Sequence, residues 1–473
     1  MEIKKLVKNS SVYGVISLLQ KGTNFLLIPV LTLYLTTDDY GIVTVVITIN
    51  TFLNVFYLMA LHGSLNRFYY EHKTDETLIK KLFGTIITFV LINSIVLTIV
   101  IYLGRNFFLK PFLDEINFYP YMALGLISVL FNPCYTIFQN SLQAKQKGNA
   151  FGKNNMLFFV TNLTLLLIGV IVFDKGAIGV LGALAITNVI FFVYSLISFR
   201  KEITFGIDLG ILKKVLKYSF PIIPHTVSGV ATNLIDRILI NKLLSTASAG
   251  IYSIGNNFGS IVFLLASAIN QAFVPWFNQA VKENKTQAIP IISKALVLFY
   301  CFIALALSFF GKEIISIITP EIYHNSWQVI PFISFAFVYH GVYYFFAGSL
   351  FYDIQGRGNR IIPISTISAA VINILLNIYL IPLYGINGAA ISTLITKVVL
   401  VISLKFFYRK YLKLKYPELF LICTPLIFFS VSLLSFFNPF NLVIKLFIYL
   451  FILLIIVLST KNKTKNLLKE FKR

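Results

Sequence analysis

The chain has 473 residues, of which 57% are hydrophobic and 12% charged, and its mean hydropathy is +0.82. Because a soluble core cannot hold so many apolar side chains, this composition excludes an ordinary soluble fold and predicts a protein largely immersed in lipid. The net charge of +22 does not indicate a nucleic-acid partner, since the basic residues are spread over many short hydrophilic segments and not gathered on one folded domain.

Fourteen apolar stretches follow one another along the chain, each close to the length of about 20 residues that a helix needs to cross a bilayer. We number them spans 1 to 14. They cover residues 11–35, 41–65, 82–104, 119–142, 154–173, 177–198, 218–241, 250–274, 291–310, 328–351, 361–381, 386–407, 419–437 and 441–459. The pattern predicts an all-α polytopic membrane protein with 14 transmembrane helices.

A constant shift of 209 residues superimposes spans 1 to 6 on spans 7 to 12. The shift pairs polar and turn residues without a gap: Thr23-Asn24 with Thr232-Asn233, Thr37 with Thr246, Gly41 with Gly250, Gly176 with Gly385 and Gly179 with Gly388. Since each unit has an even number of spans, both enter the membrane from the same side and the repeat is parallel. We predict two six-helix lobes, residues 1–209 and 210–417, followed by residues 418–473 with spans 13 and 14 and a basic cytoplasmic tail.

Lysine and arginine lie mostly on one side of the predicted membrane. Of the 40, 31 fall in segments on the side of the N-terminus, six on the opposite side and three inside spans. Cytoplasmic loops retain such residues during insertion. Both termini are therefore predicted to be cytoplasmic, with anionic inner-leaflet lipids as the partner of the basic loops.

The sequence predicts no enzyme chemistry, metal site or cofactor. The three cysteines, Cys134, Cys301 and Cys423, lie in separate spans without ligand spacing. The longest predicted external segment, residues 311–327, is too short for the catalytic loop expected of a membrane polymerase.

Charged residues inside the spans are the best guide to a cargo, because each costs at least about 2.5 to 3.5 kcal/mol at a helix centre. Lys21 in span 1 continues a polar stripe that includes Ser17 and Asn24, and such a stripe favours a wet cavity. The alternative is a Lys21 that is neutral or paired with a buried carbonyl. Lys397 in span 12 is open to the same two interpretations, a cavity cation or a structural pair.

Span 7 carries His225, Thr232 and Asp236 at helical spacing, with Asn233 and Arg237 on the adjoining face. We take Asp236 and His225 as candidates for ion coupling, and Arg237 as a candidate for substrate binding. In the alternative, Arg237 snorkels towards the outer interface with Asp236 as its local counter-ion.

Side-chain amides add groups that can bind sugar hydroxyls. The candidates are Asn24, Asn233, Asn256 and Asn257. Hydrogen bonding between helices is the alternative role of Asn256 and Asn257. Because the cations Lys21, Arg237 and Lys397 outnumber the one carboxylate, the pattern favours an anionic cargo such as a lipid pyrophosphate.

Six stretches spread over the whole chain carry a resemblance to a known family: LTLYLTTDDYGIVTVV, SLQAKQKGNAFGKNN, GAIGVLGALAITN, SFPIIPHTVSGVATNLIDRILINKLLSTASAGIYSIG, AFVPWFNQA and YGINGAAISTLIT. The chain resembles the O-antigen and polysaccharide flippases of the multidrug/oligosaccharidyl-lipid/polysaccharide exporter superfamily. The resemblance implies two six-helix lobes that face each other in a V, with two peripheral helices.

It also implies a function: translocation of undecaprenyl-pyrophosphate-linked oligosaccharides across the bacterial cytoplasmic membrane by alternating access, for O-antigen or capsule biosynthesis. Basic lumen residues such as Lys21 would bind the glycan-pyrophosphate, and H⁺ or Na⁺ would drive a monomeric transporter that works with a polysaccharide polymerase and a chain-length regulator. Two rival functions remain, a cation-coupled multidrug exporter of the same superfamily and a membrane polysaccharide polymerase. The basic excess inside the spans favours the flippase over the exporter.

Overall fold

The chain is helical throughout the residues that its computed structural model describes, namely 25, 27–72, 75–200, 202–283, 286–352, 358–411, 414–438 and 440–454. Packing divides it into two compact units, unit 1 (Met1–Ser253) and unit 2 (Ile254–Arg473). The predicted lobe boundary at residues 209 and 210 follows the sequence repeat and stays a prediction, because the packing units are defined by contact and not by homology.

Unit 1 is built from twelve described helices. They are α1 (27–34), α2 (Thr37–Leu58), α3 (Leu61–Glu71), α4 (Glu76–Leu103), α5 (Arg105–Phe108), α6 (Lys110–Leu113), α7 (Ala123–Ala144), α8 (Gly148–Leu167), α9 (Gly176–Phe199), α10 (Leu209–Ser219), α11 (Ile223–Leu243) and α12 (Thr246–Gly259), the last of which continues into unit 2. Short π-helical turns extend α7 at its start (Phe118–Met122) and α8 at its end (Ile168–Val172).

Unit 2 continues with seven described helices. They are α13 (Ile261–Lys282), α14 (Ile289–Ile318), α15 (Ile330–Phe351), α16 (Gly358–Tyr384), α17 (Ile386–Tyr411), α18 (Glu418–Phe437) and α19 (Leu442–Leu454). The central helix of unit 2 is α15. In the segment Glu321–Phe351, which contains α15, 83% of an 18-residue apolar stretch is buried. The helix α15 packs against α13, α14, α17 and α18.

Eleven helical segments of the described residues are long and apolar enough to cross a membrane, which confirms the all-α polytopic fold. They correspond to predicted spans 2 to 6 and 8 to 13. Span 1 lies mostly outside the described residues, and α19 within span 14 is short. In span 7, α11 is less apolar because it carries Asp236, Arg237 and Lys242. The total of fourteen therefore stays a prediction.

Two boundaries show how membrane helices treat proline. Span 8 was predicted near residues 250–274; in the structure this stretch is divided between α12 and α13, and α13 continues through Pro275 to Lys282. Proline is tolerated inside membrane helices where neighbouring groups satisfy the freed carbonyl. Span 7 instead breaks near its start, where a 3₁₀ turn over Phe220–Ile222 separates α10 from α11, and Pro221 and Pro224 occupy first-turn positions that cost no hydrogen bond.

Aromatic packing holds together the half of unit 1 that is predicted to be cytoplasmic. Tyr135 on α7 stacks on Phe158 with ring centroids 5.0 Å apart and meets Phe191 edge-on at 5.1 Å. Phe138 meets Phe199 edge-on at 4.9 Å. Because lipid tails are as apolar as these side chains, close ring geometry and dispersion, and not exclusion from water, stabilise such a core.

Candidate functional site

Asp236 is a buried carboxylate in unit 1, where α11 packs against α2. The residue is only 1% exposed, and the fully buried Tyr252 on α12 donates its phenolic O–H to Oδ2 at 2.5 Å. A hydrogen bond to the charged oxygen offsets part of the cost of removing a carboxylate from water. Sequence reasoning identified Asp236 but missed Tyr252, because their contact depends on how α12 folds back against α11.

Arg237 is also buried, at 7% exposure. Its Nη1 donates to the backbone carbonyl of Asn233 at 2.9 Å, one turn earlier in α11. The guanidinium therefore folds back along the helix, away from the outer end that snorkelling requires. Asn233 in turn donates from Nδ2 to the carbonyl of Gly229 at 2.8 Å.

His225 does not join Asp236 in one site on α11. It is partly buried near the start of the helix, three turns before Asp236, a separation of about 16 Å along the axis. The two ion-coupling candidates are thus held at different depths of unit 1.

A contact between the two halves of the repeat lies at the end of unit 1 predicted to be extracytoplasmic. A Cβ atom on Gly41 of α2 would overlap the carbonyl oxygen of Thr246, and one on Gly250 of α12 would overlap the carbonyl oxygen of Thr37. Since the 209 shift pairs Gly41 with Gly250 and Thr37 with Thr246, the contact is symmetric. Only glycine permits this approach of the two backbones.

Polar bonds fasten the same end of unit 1. Thr246 Oγ1 donates to Asn241 Oδ1 at 2.8 Å, and Asn241 Nδ2 donates to the carbonyl of Leu113 at 3.1 Å. Asn241 is 2% exposed. The sequence did not predict this network, although the 209 shift had already paired Thr246 with Thr37.

Lys397 on α17 is a buried cation of unit 2, at 2% exposure; Lys445, at 5%, is another and pairs with Glu313. Its Nζ lies 6.0 Å from the ring centroid of Phe337 on α15, within the range of a cation–π interaction. The ring of His340 packs among Phe337, Phe263 and Tyr344, with the Tyr344 centroid at 4.9 Å. The sequence did not single out His340, since nothing in its spacing indicates aromatic neighbours.

Buried amides connect helices in unit 2. Asn373 Nδ2 on α16 donates to Thr396 Oγ1 on α17 at 3.4 Å, and Asn377 Nδ2 donates to Asn373 Oδ1 at 3.1 Å. Asn256 is 8% exposed and Asn257 partly buried in the last turn of α12. Side-chain bonds such as the one from Asn373 to Thr396 are the ordinary use of amides in membranes.

The candidate residues thus fall into three groups. Unit 1 holds His225, Asn233, Asp236 and Arg237, and unit 2 holds Asn256, Asn257 and Lys397. Lys21 and Asn24 lie outside the described residues.

An ion-pair cluster lies where both α7 and α9 end, on the side predicted to be cytoplasmic. Glu202 accepts from Lys145 Nζ at 2.7 Å and from Lys147 Nζ at 3.3 Å. Burial alone would raise the pKa of Glu202, but the two ammonium groups outweigh it and the pKa is lowered from its ordinary value of 4.5. The cluster fixes the segment that joins the two repeats.

Comparison with known sequences gives three matches. The sequence profile of the polysaccharide biosynthesis protein family matches residues 6–281. The Lsg locus protein 1 of Haemophilus influenzae is 25% identical over 291 residues, 59% of this chain and 68% of that protein. Capsular polysaccharide biosynthesis protein CapF of Staphylococcus aureus is 25% identical over 209 residues, 43% of this chain and about half (52%) of that protein.

Solved structures share the fold at low sequence identity. The lipid II flippase MurJ in an inward closed conformation matches with a TM-score of 0.77 at 16% identity, over 97% of this chain and all of that one (100%). The Vibrio cholerae MATE transporter VcmN in its bent form matches with a TM-score of 0.55 at 14% identity, over 90% of this chain and 98% of that one. With its family profile covering more than half of its length, this multi-pass membrane chain, which has the fold of MurJ and the MATE transporters, belongs to the polysaccharide biosynthesis protein family.

Proposed function

We propose that the chain is a flippase that moves undecaprenyl-pyrophosphate-linked oligosaccharides from the inner to the outer leaflet of the bacterial cytoplasmic membrane, for O-antigen or capsule biosynthesis. Family membership supports the link to a polysaccharide, and the shared fold supports transport. The nature of the cargo is inferred from charge: among the described candidates two buried side chains, Arg237 and Lys397, are cationic and one, Asp236, is a carboxylate.

Both cations are shielded in the conformation described. Arg237 donates to a backbone carbonyl and Lys397 lies over a ring, and both contacts are weaker than bonds to a phosphate oxygen. We expect the pyrophosphate to replace them when the pathway opens, with Arg237 able to bind it through two parallel N–H bonds. Lys21, Asn24, Asn233, Asn256 and Asn257 complete the proposed lumen.

Alternating access is supported by the symmetric contact between Gly41 and Gly250. It joins equivalent ends of the two repeats, so separation there would open the predicted outer side without disturbing the packing of α15. We propose that H⁺ or Na⁺ binds at Asp236 and makes transport run in one direction, with His225 as a second titratable group. We propose a monomer that supplies a polysaccharide polymerase and its chain-length regulator.

The sidedness of lipid-linked repeat units in a deletion strain tests the function. If the proposal holds, units accumulate on the cytoplasmic side and the chain restores surface polysaccharide. An outward accumulation of unpolymerised units would indicate a lost polymerase instead, and normal surface polysaccharide would contradict the proposal.

Exposure of Thr246, which is 9% exposed here, tests alternating access. With Cys134, Cys301 and Cys423 replaced by serine, Thr246→Cys should react with an external membrane-impermeant maleimide only when the outer contact opens. Adding Gly41→Ala should speed labelling, because its Cβ cannot fit against the Thr246 carbonyl. A matched Gly63→Ala control, at a position with no atom within 4 Å of a new Cβ, should not. Equal labelling in both variants would contradict a closing contact here.

Cation-coupled multidrug export is the second candidate. It is favoured by the fold shared with MATE transporters and by a buried carboxylate that could bind a cation. Changed drug sensitivity of the deletion strain together with normal surface glycan would support it over the flippase.

A further inference from the structure

Unit 2 contains a cavity of about 970 Å³ between α13 and α15, at the end predicted to be cytoplasmic. Its volume is at the upper end of the range of about 300 to 1,000 Å³ typical of small-molecule sites. Both helices line it: α13 contributes Phe277, Asn278 and Gln279, and α15 with the residue just beyond it contributes Tyr344, Gly348 and Tyr352.

The face of α13 beside this cavity is polar although the helix has the length of a membrane span. Gln271, Asn278, Gln279 and Lys282 are all exposed. Asn278, Gln279 and Lys282 lie beyond residue 274, where span 8 is predicted to leave the membrane. This face therefore meets water or a polar ligand and does not favour a lipid acyl chain.

The cavity combines flat rings with amides. Phe277 and Tyr352 meet edge-on with centroids 6.3 Å apart, and Tyr344 contributes a third ring. Asn278 and Gln279 each carry a donor and an acceptor. Sugar rings present an apolar C–H face and a rim of hydroxyls, so rings beside amides are the chemistry that recognises them.

The charges at the cavity mouth do not favour an anion. Lys282 and Glu283 are adjacent, and Gln279 Nε2 donates to Glu283 Oε1 at 2.8 Å. One positive and one negative group cancel at this edge. A pyrophosphate would gain little here, whereas an uncharged sugar would meet both donors and acceptors.

Gly348 borders this space. No atom lies within 4 Å of a Cβ added at this position. The 209 shift pairs Gly348 with Gln139, which in unit 1 is buried and donates to the phenol of Tyr135. Tyr135 and Tyr344 are the same residue in both repeats, so at this point the glycine, and not that ring, distinguishes unit 2 from unit 1.

We infer that this cavity is a subsite for uncharged sugar residues of the transported glycan. The inference rests on the proposed function and names a part of its substrate that the buried cations do not explain. The cations hold the pyrophosphate, while the α13–α15 cavity holds sugar rings at the cytoplasmic entry side.

Trp276, whose ring lies 5.5 Å from that of Phe273 in the cavity wall, provides a reporter. The chain has two tryptophans, so Trp327→Phe in the full-length protein in nanodiscs leaves Trp276 alone. The probe is the free oligosaccharide released by mild acid from the lipid-linked units of the host strain. We expect it to change Trp276 fluorescence in a saturable way, and undecaprenyl phosphate without sugar to have no effect at this reporter.

Gly348→Gln should weaken oligosaccharide binding at least about tenfold and lower surface polysaccharide, because it restores the side chain that fills unit 1. The variant should fold normally, since the position is open and glutamine is a better helix former than glycine. Gly63→Gln, the same change at an open site of α3, should bind as the parent does. Tyr352→Ala should weaken binding and Tyr352→Phe should retain it.

Two outcomes would overturn the sugar subsite. One is unchanged oligosaccharide binding in Gly348→Gln and Tyr352→Ala. The other is a Trp276 response to undecaprenyl phosphate and not to the oligosaccharide. These outcomes are separable from failure of the flippase itself. If the deletion strain retains normal sidedness of lipid-linked units, the proposed function fails. If the deletion blocks flipping while Gly348→Gln has no effect on binding or surface polysaccharide, the subsite alone fails.

Discussion

Gln139 in unit 1 and Gly348 in unit 2 occupy the same position of the repeat, yet one helps to fill a core and the other borders a cavity of about 970 Å³. Around them Tyr135 pairs with Tyr344 and Phe68 with Phe277, identical residues under the 209 shift. In unit 1 the region is a closed aromatic cluster. The scaffold is thus duplicated, whereas the space within it is not.

The comparison shows how a repeat can diverge in function without changing its fold. Next to the cavity, Tyr69 and Tyr70 of unit 1 correspond to Asn278 and Gln279 of unit 2. Replacing rings by amides and a glutamine by a glycine removes packing volume and adds hydrogen-bonding groups. We therefore attribute structural closure to the half of unit 1 that is predicted to be cytoplasmic, and ligand contact to the equivalent half of unit 2.

The largest effect should come from removing Tyr135, and a smaller one from removing Tyr344, its equivalent in unit 2. Tyr135→Ala loses two ring contacts and a hydrogen bond to the Asn154 carbonyl and should lower the free energy of unfolding by about 3 kcal/mol or more. Tyr344→Ala should cost less, about 1 kcal/mol, because one side of its ring already borders space. SDS-titrated unfolding measures both. Equal losses would contradict the difference in packing.

Gln139→Gly should make unit 1 resemble unit 2. It removes the donor to Tyr135 and places glycine inside α7, which together should cost about 2 kcal/mol of unfolding free energy. The same unfolding assay measures it, with Gln143→Gly at the end of α7 as the control for the backbone effect. A loss no larger than the control's would mean that Gln139 does not support the cluster.

Tyr252→Phe tests whether the buried carboxylate of unit 1 depends on its phenolic donor. Removing the O–H should lower the unfolding free energy by about 1 to 2 kcal/mol, and the loss should shrink when Asp236 is already replaced by asparagine. A double-mutant cycle measures this coupling. Additive losses would show that the 2.5 Å contact contributes nothing. Asp236→Ala should also abolish surface polysaccharide at normal protein levels.

The smallest effect concerns Glu202. Its pKa is lower in the folded protein than its ordinary value of 4.5, so its pairing stabilises the fold above that value and is lost as the pH falls through the lowered pKa. Glu202→Gln should therefore cost about 1 kcal/mol or less at pH 7, and this difference should vanish in acid. Glu76→Gln, in an exposed i, i+4 pair with Lys80, is the matched control with almost no expected effect. A Glu202→Gln loss that persists at low pH would exclude the ion pair as its cause.

Hydropathy predicted the membrane fold because eleven segments are apolar along their whole length, and bilayer thickness then fixes their size. It gave helix ends only approximately: α13 continues through Pro275 to Lys282, beyond the predicted span 8. The repeat register anticipated which glycines pair, although it did not reveal that Gly41 and Gly250 touch the partner threonines.

The partners of individual side chains could not be predicted from the sequence, for a different reason. The bond from Tyr252 to Asp236 and the ring beneath Lys397 depend on how neighbouring helices are rotated, which hydropathy does not encode. The cavity is bordered by Gly348, where no side chain fills the space. The sequence did contain one signal of this space: the 209 shift pairs Gly348 with the larger Gln139.

Flipping by the purified protein tests the central claim most directly. Proteoliposomes containing undecaprenyl-pyrophosphate-linked repeat units from the host would be exposed to a membrane-impermeant glycosidase, and the fraction of glycan that becomes accessible would be followed with time. The account predicts that the wild-type chain makes the inner-leaflet pool accessible, and that the double variant Arg237→Ala with Lys397→Ala does so at least about tenfold more slowly. Accessibility that rises no faster than in protein-free liposomes would contradict it.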